Sequence, residues 1–324
     1  MTLQDQNDTL ITIFGGSGFL GRHLVRALAR RHYRIRVACR RPELAGHLQP
    51  LGRVGQIHVV QANIRNAASV EAAVRGADVV INLVGILFER GRQRFRTVQG
   101  YGAEQVALAA AAHGARMIHV SAIGADKNSP SRYAQAKAMG EEAVLAAKPD
   151  AVIFRPSVMF GPEDNFFNKF GAMARILPAL PLVGGGTTKF QPVFAGDVAE
   201  AIAQAVQGRA KPGTIYELGG REVLSFRQIL EYVLAVIERR RLLIPLPFAL
   251  AKLKAAFLQL LPKPPLTPDQ VELLRSDNVV SPEAEAEGRT LQAFGIEPTS
   301  MESIVPTYLW RFRKTGQFKN SRFA

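Results

Sequence analysis

Tyr133 and Lys137 are the residues whose types and spacing most directly suggest chemistry. They lie four positions apart in "SRYAQAKAMGEE", a stretch whose pattern predicts the beginning of a helix. That spacing places both side chains on one helical face, where an ammonium group lowers the pKa of a nearby phenol from its reference value of about 10. Such a phenol can transfer protons near neutral pH. Because Y-x-x-x-K also occurs by chance, a surface tyrosine beside a solvated lysine is the alternative.

The composition is that of a globular protein rather than of a disordered tail or a fibre. The chain has 324 residues, of which 47% are hydrophobic and 21% charged, enough for one large domain or two modest ones. Cys39 is the single cysteine, so neither an internal disulfide nor a paired-cysteine zinc site can form. The six histidines lack the spacing of metal ligands, and no metal site is predicted.

The net charge of +14 predicts attraction to something acidic: nucleic acid, anionic lipid headgroups, a phosphate-bearing ligand or an acidic protein surface. No stretch reaches the roughly 20 apolar residues that span a bilayer. The opening segment "MTLQDQNDTL" is neither a signal peptide nor an arginine-rich transit sequence. These features favour a reducing compartment, and we expect a bacterial cytoplasm.

From residue 10 to about 155, short apolar runs such as "LITIF" and "DVVINLVG" alternate with helical patterns such as "FLGRHLVRALARR". Apolar strands joined by helices are typical of a parallel sheet covered on both faces, so a Rossmann-like, doubly wound α/β fold is predicted. The pattern assigns residues 1–155 to a nucleotide-binding domain, with 192–220 returning to its sheet. Residues 156–191 and 221–324 form a smaller, mainly helical C-terminal region.

The stretch "LITIFGGSGFLGRHLV" predicts where the phosphates of a dinucleotide would bind. It follows a predicted strand, begins a helix and fits both G-x-x-G-x-x-G and G-x-G-x-x-G, and the next strand, "RIRVACR", completes a βαβ unit. Glycine lets the backbone approach a pyrophosphate at the positive end of the helix. A turn that serves only strand-to-helix packing is the alternative. The predicted contacts are Gly15, Gly16, Ser17, Gly18, Phe19, Leu20 and Gly21.

About 20 residues after the glycines, where an acid would bind the ribose of NAD, the second strand ends in Arg40 and Arg41. Arginine at this point favours the 2′-phosphate of NADP(H), so NADPH is the predicted cofactor. A solvated basic turn before Pro42 is the alternative. Further contacts are predicted where the third and fourth strands end, along the same cofactor edge. They are Asn63, Ile64, Leu83, Val84 and Gly85.

With "GGSGFLG", "NLVG", "HVSAIG", "YAQAK" and "RPSVMFGP" in this order, the chain resembles the short-chain dehydrogenase/reductase superfamily over most of its length. The resemblance implies that Ser121 and Tyr133 act on a carbonyl or hydroxyl group and that Lys137 also holds the nicotinamide ribose. It also implies cofactor contacts at Pro156 and Ser157, within "RPSVMFGP".

Longer stretches are similar to the NADPH-binding accessory subunits of respiratory complex I, an atypical branch of that superfamily. They span nearly the whole chain and are "SAIGADKNSPSRYAQAKAMGEE", "FGPEDNFFNKF", "GGGTTKFQPVFAGDVAEAI" and "PLTPDQVELLRSDNVVS". This resemblance implies a structurally bound NADPH, other complex I subunits as partners and a peripheral position on the cytoplasmic side of a bacterial inner membrane. It also implies no turnover, so that Ser121, Tyr133 and Lys137 would be vestigial.

Residues 239–263 include six basic residues and no acidic one, interleaved with Leu, Ile, Pro and Phe, a composition that suits an anionic lipid or membrane surface. The helix predicted over residues 248–261 is apolar nearly all round, so it needs a covering partner or lipid unless it lies in the C-terminal core. The final "WRFRKTGQFKNSRFA" is expected to be an extended tail, either solvated or ordered on contact.

The sequence suggests three functions, of which two remain open. The first is an accessory subunit of NADH:ubiquinone oxidoreductase, and the second is an active NADP-dependent reductase, epimerase or dehydratase using Ser121, Tyr133 and Lys137. The apolar "NFFNKFGAMARILPALPL" offers few groups to a polar substrate, which favours the first. The third, nucleic-acid binding, is not predicted, because no helix-turn-helix, zinc or RNA-recognition pattern is present.

Overall fold

The computed structural model of the chain describes residues 8–262 and 264–315. The strands are β1 (Leu10–Phe14), β2 (Arg34–Cys39), β3 (Ile57–Gln61), β4 (Val79–Asn82), β5 (Arg116–Val120), β6 (Val152–Pro156), β7 (Met159–Phe160), β8 (Ala179–Val183), β9 (Lys189–Phe190), β10 (Val193–Phe194), β11 (Ile215–Leu218), β12 (Leu224–Ser225) and β13 (Leu242–Leu246).

The α-helices are α1 (Phe19–Arg30), α2 (Ala67–Val74), α3 (Gly102–Ala112), α4 (Arg132–Ala147), α5 (Phe167–Ile176), α6 (Ala195–Val206), α7 (Phe226–Val236), α8 (Phe248–Leu258), α9 (Pro268–Leu273), α10 (Pro282–Ala286), α11 (Met301–Ile304) and α12 (Pro306–Leu309). A π-helix, Arg96–Tyr101, runs directly into α3. Within the described residues, no helix combines the length and apolar character that a membrane span requires.

The central sheet has seven parallel strands in the order β11-β6-β5-β4-β1-β2-β3. Phe14 and Val80 pack in a core cluster with residues of α2 and α3, while the adjacent Ile13 and Ile81 are fully buried as well. Because successive strand residues point to opposite faces, both faces of the sheet are covered. The doubly wound α/β fold predicted from the alternation of apolar runs and helices is confirmed.

The chain divides into two compact units. The first contains residues 1–156, 195–218 and 281–297, and the second contains residues 157–194, 219–280 and 298–324. The first and second stretches of the first unit end within a few residues of the predicted boundaries. Residues 281–297 differ, since the sequence analysis placed them in the C-terminal region.

Residues 281–297 run beside β11, the last strand at one end of the sheet. The Glu217 amide donates to the Arg289 carbonyl at 2.9 Å, and the Arg289 guanidinium donates to the Ile215 carbonyl at 2.7 Å. At the start of the segment, the Ser281 amide donates to a carboxylate oxygen of Glu217 at 2.8 Å. The Glu217 amide, the Glu217 carboxylate and the Ile215 carbonyl of this edge strand therefore have partners within the same unit.

The second unit is mainly helical, with three short two-stranded sheets. The buried carboxylate of Asp164 accepts hydrogen bonds from the Tyr308 hydroxyl at 2.5 Å and from the Phe166 amide at 2.9 Å. The Phe312 ring is buried in the core of this unit. The extended tail expected from residue 310 onward is therefore wrong for Phe312, and residues 316–324 of that expectation lie outside the described residues.

Helix α4 carries Tyr133 and Lys137 and is fixed at its N-terminus and again beyond its middle. The Ser131 hydroxyl caps it by accepting the Ala134 amide at 3.3 Å. One turn after Lys137, the buried Glu141 carboxylate accepts two hydrogen bonds from Arg155 of β6, at 2.6 and 2.9 Å. A paired charge at this depth ties the helix to the sheet, because an unpaired carboxylate would lose its hydration without compensation.

Candidate functional site

The glycine turn between β1 and α1 has the backbone shape that the sequence predicted for it. Gly15 has a φ of +81°, a left-handed conformation that favours glycine. Gly21 packs so closely on the turn that a Cβ there would lie 2.4 Å from the Gly16 carbonyl oxygen. The first-turn amides of α1, next to Gly18 at its N-cap, have no partner within the helix and can face an anion.

The basic turn after β2 lies beside the glycine turn, and Cys39 connects the two. Burial raises the pKa of the Cys39 thiol, while its hydrogen bonds to the Arg41 backbone and the Ser17 side chain lower it. The Gly15 amide also donates to the Ala38 carbonyl of β2, at 3.2 Å. Arg40 and Arg41 are both exposed. Two exposed arginines thus directly follow the end of β2, which lies beside the glycine turn.

The contacts predicted after β3 differ in how far their side chains are already engaged. The Asn63 side-chain oxygen accepts a hydrogen bond from the Arg65 backbone amide at 3.2 Å. The backbone amide of Asn63 donates to the Ser69 hydroxyl at 2.8 Å. Ile64 is buried and contacts Gly102 at the start of α3. Asn63 therefore shapes the loop into α2, and only its side-chain NH₂ group remains for a base.

The loop after β4 reaches the lysine of α4. The Leu83 amide donates to the Phe14 carbonyl at 2.9 Å, and the Val84 amide donates to the Asn82 side chain at 3.1 Å. Gly85 follows, and a Cβ placed on it would lie 3.6 Å from Lys137 Nζ. The structure thus brings the predicted residues of β4 and α4 together at one edge of the sheet.

Lys137 joins the helix to the strand end that carries Ser121. Its Nζ donates to the Val120 carbonyl at 3.1 Å and lies 5.9 Å from the centre of the Tyr133 ring. Ser121 is the next residue, and its buried hydroxyl has no partner among the described residues. Ser121, Tyr133 and Lys137 are therefore grouped at the end of β5. Such a hydroxyl, phenol and ammonium can together bind or protonate a ligand oxygen.

Pro156 and Ser157 belong to different units. Pro156 ends β6, and its carbonyl accepts the Ile123 amide of the first unit at 3.1 Å. Ser157 begins the second unit, where its buried hydroxyl donates to Asn278 at 2.8 Å. The Ser157 hydroxyl is therefore already used in holding Asn278.

Sequence reasoning missed a set of polar side chains around Lys137. The Gln99 side-chain oxygen accepts the Ile86 amide at 3.0 Å, but its NH₂ group is buried without a partner among the described residues. Asn82 donates to His119 Nδ1 at 3.2 Å, so His119 carries its proton on Nε2, which is also buried and unpartnered there. Period-two alternation in "RMIHVS" places His119 and Ser121 on one strand face, whereas no motif marks Gln99.

Burial dominates the electrostatics of this group. It lowers the pKa of Lys137 to about 8, an effect that the nearby Glu141 carboxylate opposes. Burial and the Lys137 charge lower the pKa of His119 to about 3, so the imidazole is neutral at physiological pH. A lysine with a pKa near 8 exchanges its proton readily close to neutral pH. Shifted pKa values of this kind are frequent at functional sites.

The model of the NAD dependent epimerase/dehydratase family matches residues 11–219. The chain belongs to this family. It is 37% identical to the mitochondrial NADH dehydrogenase (ubiquinone) 1 alpha subcomplex subunit 9 of Arabidopsis thaliana, over 94% of this chain and 78% of that protein. It is 38% identical to the ceramide reductase of Caulobacter vibrioides over 54% of each chain. A UDP-glucose 4-epimerase of Thermus thermophilus, solved with NAD, shares its fold, with a TM-score of 0.70 at 20% identity over 95% of this chain and all of the other.

The residues present fit a nicotinamide dinucleotide. The glycine turn exposes backbone amides at a helix N-terminus, as a pyrophosphate requires. At the other end of the sheet edge, the buried Ser121 hydroxyl and the Gln99 amide lack partners among the described residues, and a polar ligand would satisfy them. Within the described residues, no cluster of His, Cys, Asp and Glu has the arrangement of a metal site.

The lowered pKa of Lys137 predicts a pH-dependent stability. Between about pH 8 and 10.5 the unfolded chain keeps the Lys137 proton while the folded protein releases it, so stability rises with pH across this window. We expect the wild type to gain about 3 kcal/mol of unfolding free energy relative to Lys137→Met over that range, measured by urea unfolding without dinucleotide. The exposed Lys127→Met variant should follow the wild type. A constant difference between wild type and Lys137→Met would contradict the shift.

Proposed function

We propose that this protein is an accessory subunit of NADH:ubiquinone oxidoreductase, complex I, which binds NADPH as a structural group and helps to stabilise the peripheral arm near the membrane. The observation that carries the proposal is the 37% identity to an NADH dehydrogenase subunit along 94% of this chain. In a bacterial cell the protein would lie on the cytoplasmic side of the inner membrane, attached peripherally.

The preference for NADPH over NADH is supported by the end of β2. Arg40 and Arg41 are exposed there, and the Arg41 backbone and the Ser17 side chain both contact the Cys39 thiol. A guanidinium binds a phosphate through paired, charge-assisted hydrogen bonds. A 2′-phosphate bound near this turn would gain such bonds, whereas the unphosphorylated ribose of NADH would not.

The proposed cofactor preference can be measured directly. We expect NADPH to bind the dinucleotide-free protein at least ten-fold more tightly than NADH, because the interaction of arginine with phosphate is lost for NADH. Arg40→Ala with Arg41→Ala should raise the Kd for NADPH by about ten-fold or more and change that for NADH little. Arg34→Ala, at the exposed start of the same strand, is the control and should leave both values unchanged. Equal Kd values for the two dinucleotides in the wild type would refute the assignment.

An anionic membrane surface is the second proposed contact, through four exposed apolar side chains of the second unit that we name the apolar face: Leu242 and Ile244 of β13 and Leu253 and Phe257 of α8. These side chains are between 52% and 71% exposed, and Ala251 and Ala255 are the buried residues of α8. Ala251 and Ala255 pack in a small core cluster with Val183 and Val271, so one side of α8 contributes to the core while the exposed apolar side supports a covering lipid or partner.

Basic groups accompany the apolar face within the second unit. Arg240 and Lys254 are exposed, whereas Arg239 and Arg241 donate to the carbonyls of Phe312 and Ala174. Exposed apolar side chains together with exposed cations are the combination that binds at an anionic lipid headgroup layer. The basic residues of this segment therefore divide into structural anchors and groups available to lipid.

Vesicle flotation tests the membrane contact. The purified full chain is expected to float with vesicles of phosphatidylcholine and phosphatidylglycerol in a 7:3 ratio, and less with phosphatidylcholine alone. Leu253→Glu with Phe257→Glu should reduce the bound fraction several-fold, because two charges would enter the headgroup layer. Leu44→Glu with Val54→Glu changes two exposed apolar residues of the first unit and should have no effect. Equal flotation of both double variants would exclude this face.

An active NADP-dependent reductase is the second candidate function. It is favoured by the grouping of Ser121, Tyr133 and Lys137, with a Ser121 hydroxyl that lacks a partner among the described residues and Lys137 Nζ 5.9 Å from the phenol ring centre. The relative named a ceramide reductase also points to this class and, for that protein, to an apolar substrate. In such a reaction Tyr133 would supply the proton to a carbonyl oxygen that Ser121 binds.

Tyr133→Phe separates the two functions. For an accessory subunit, the variant should keep its dinucleotide and migrate with NADH dehydrogenase activity in native gels of gently solubilised membranes, as the wild type does. Neither the wild type nor Tyr133→Phe should oxidise NADPH at a rate typical of enzymes when long-chain ketones are supplied. For a reductase, the wild type should turn over a ketone and Tyr133→Phe should lose about a hundred-fold or more of that rate. Wild-type protein absent from complex I would refute the accessory role.

A further inference from the structure

Residues 89–96, which follow β4 and end at the first residue of the π-helix, include a tight turn, and we name this segment the arginine hairpin. Arg90 and Gln93 exchange two backbone hydrogen bonds, of 3.0 and 2.9 Å, so that Gly91 and Arg92 occupy the tip. Both tip residues are exposed. The hairpin belongs to the first unit.

Two further contacts fix the conformation of the arginine hairpin. The Phe95 amide donates to the Glu89 carboxylate at 2.9 Å, which closes the base of the turn. The Arg65 guanidinium donates to the Arg92 carbonyl at 3.0 Å, which holds the tip. The backbone is therefore ordered before any ligand binds, and binding would not have to offset the entropy of ordering it.

The charge on this hairpin is strongly unbalanced. The acidic residue of the hairpin is Glu89, whose side chain is 19% exposed. One of its carboxylate oxygens lies 3.5 Å from a guanidinium nitrogen of Arg94 and 3.6 Å from one of Arg132 in α4. The exposed arginines around it are Arg90, Arg92, Arg94, Arg96 and Arg132. Like charges gathered this closely repel one another, and an opposing negative surface would relieve that repulsion.

The arginine hairpin is packed against the candidate site. Phe95 is buried, and its ring meets the Tyr133 ring edge to face at 5.7 Å between centres. The π-helix that begins at Arg96 contains Gln99, whose side-chain oxygen accepts a hydrogen bond from the Ile86 amide. The cationic surface is thus built directly onto the residues that surround Lys137.

The shape of the hairpin identifies the class of occupant. Small ligands bind in concave pockets, whereas the tip of this turn, Gly91 and Arg92, is exposed. Arginine is enriched in protein interfaces and binds carboxylates in paired hydrogen bonds. Leu87, which is 52% exposed just before the hairpin, adds an apolar contact area.

We propose that the arginine hairpin docks an acidic surface of a partner protein. Its partner in the cell would be a subunit of complex I, and that part rests on the proposed function. Binding would be led by Arg92, Arg94 and Arg96, with Glu89 and Arg65 keeping the turn in shape. The attraction would weaken with salt, because the groups involved are exposed.

The first test uses the purified full chain and immobilised poly-L-glutamate as the acidic probe. Arg92→Glu, Arg94→Glu and Arg96→Glu together should raise the apparent Kd at least ten-fold at 0.1 M salt. The corresponding triple lysine variant should stay within about three-fold of the wild type, because it keeps the charge.

A charge-matched control separates the hairpin from the overall basicity of the chain. Arg26→Glu, Arg30→Glu and Arg53→Glu change the net charge equally at exposed positions elsewhere in the first unit. This control should bind poly-L-glutamate nearly as the wild type does. Equal weakening by the two triple glutamate variants would overturn the proposal.

The second test follows association with complex I in native gels of solubilised membranes. The hairpin glutamate variant should lose most of its co-migration while keeping its bound dinucleotide and melting temperature, and the charge-matched control should retain it. Co-migration of the hairpin variant at the wild-type level would overturn docking at this surface. If wild-type protein binds poly-L-glutamate through the hairpin but never migrates with complex I, the proposed function fails and the docking surface stands.

A third measurement distinguishes a protein from a membrane as the occupant. Flotation with the phosphatidylcholine and phosphatidylglycerol vesicles should be similar for the hairpin variant and its charge-matched control. A selective loss of flotation by the hairpin variant, with poly-L-glutamate binding intact, would assign the hairpin to lipid and overturn the proposal.

Discussion

The candidate site depends on one buried lysine. Lys137 Nζ donates to the Val120 carbonyl, and so holds α4 against the end of β5 where Ser121 follows. This placement costs the ammonium group much of its hydration, and the pKa of Lys137 falls to about 8 in consequence. The same burial makes the protonation of Lys137 sensitive to its surroundings, because an ammonium group with a pKa near 8 remains mostly charged at neutral pH and loses its proton slightly above it.

The surrounding charges are arranged so that α4 can tolerate this lysine. Glu141, one turn later, pairs with Arg155, and Arg155 also reaches Glu217 of β11 at 3.4 Å. His119, buried beside Lys137, stays neutral and adds no second positive charge. A single ion-pair network thus spans α4, β6 and β11, so the geometry around Tyr133 is set by the sheet and not by the flexible ends of side chains.

The features foreseen from the sequence are those encoded locally. The glycine turn, the α/β alternation and the Tyr133 and Lys137 spacing each depend on residues a few positions apart. Gln99 and the Asn82–His119 pair escaped notice because their roles arise from contacts between different elements, and neither contact follows a local spacing motif. The exposure of α8 could not be inferred either, since a helix with apolar residues on all sides has the same sequence pattern whether it lies in a core or at a surface. The same holds for residues 281–297, whose attachment to β11 spans more than sixty positions.

That attachment has a consequence for how the protein meets others. The outermost strand of a sheet ordinarily offers unpaired amides and carbonyls that can recruit a foreign strand, which leads to swapped dimers or fibrils. Along β11 the Glu217 amide and the Ile215 carbonyl are occupied by the chain's own Arg289. The addition of a strand from another molecule is therefore blocked at the β11 edge of the sheet. Neighbours that approach here must be recognised through side chains, a mode that selects partners by charge and shape and limits indiscriminate self-association.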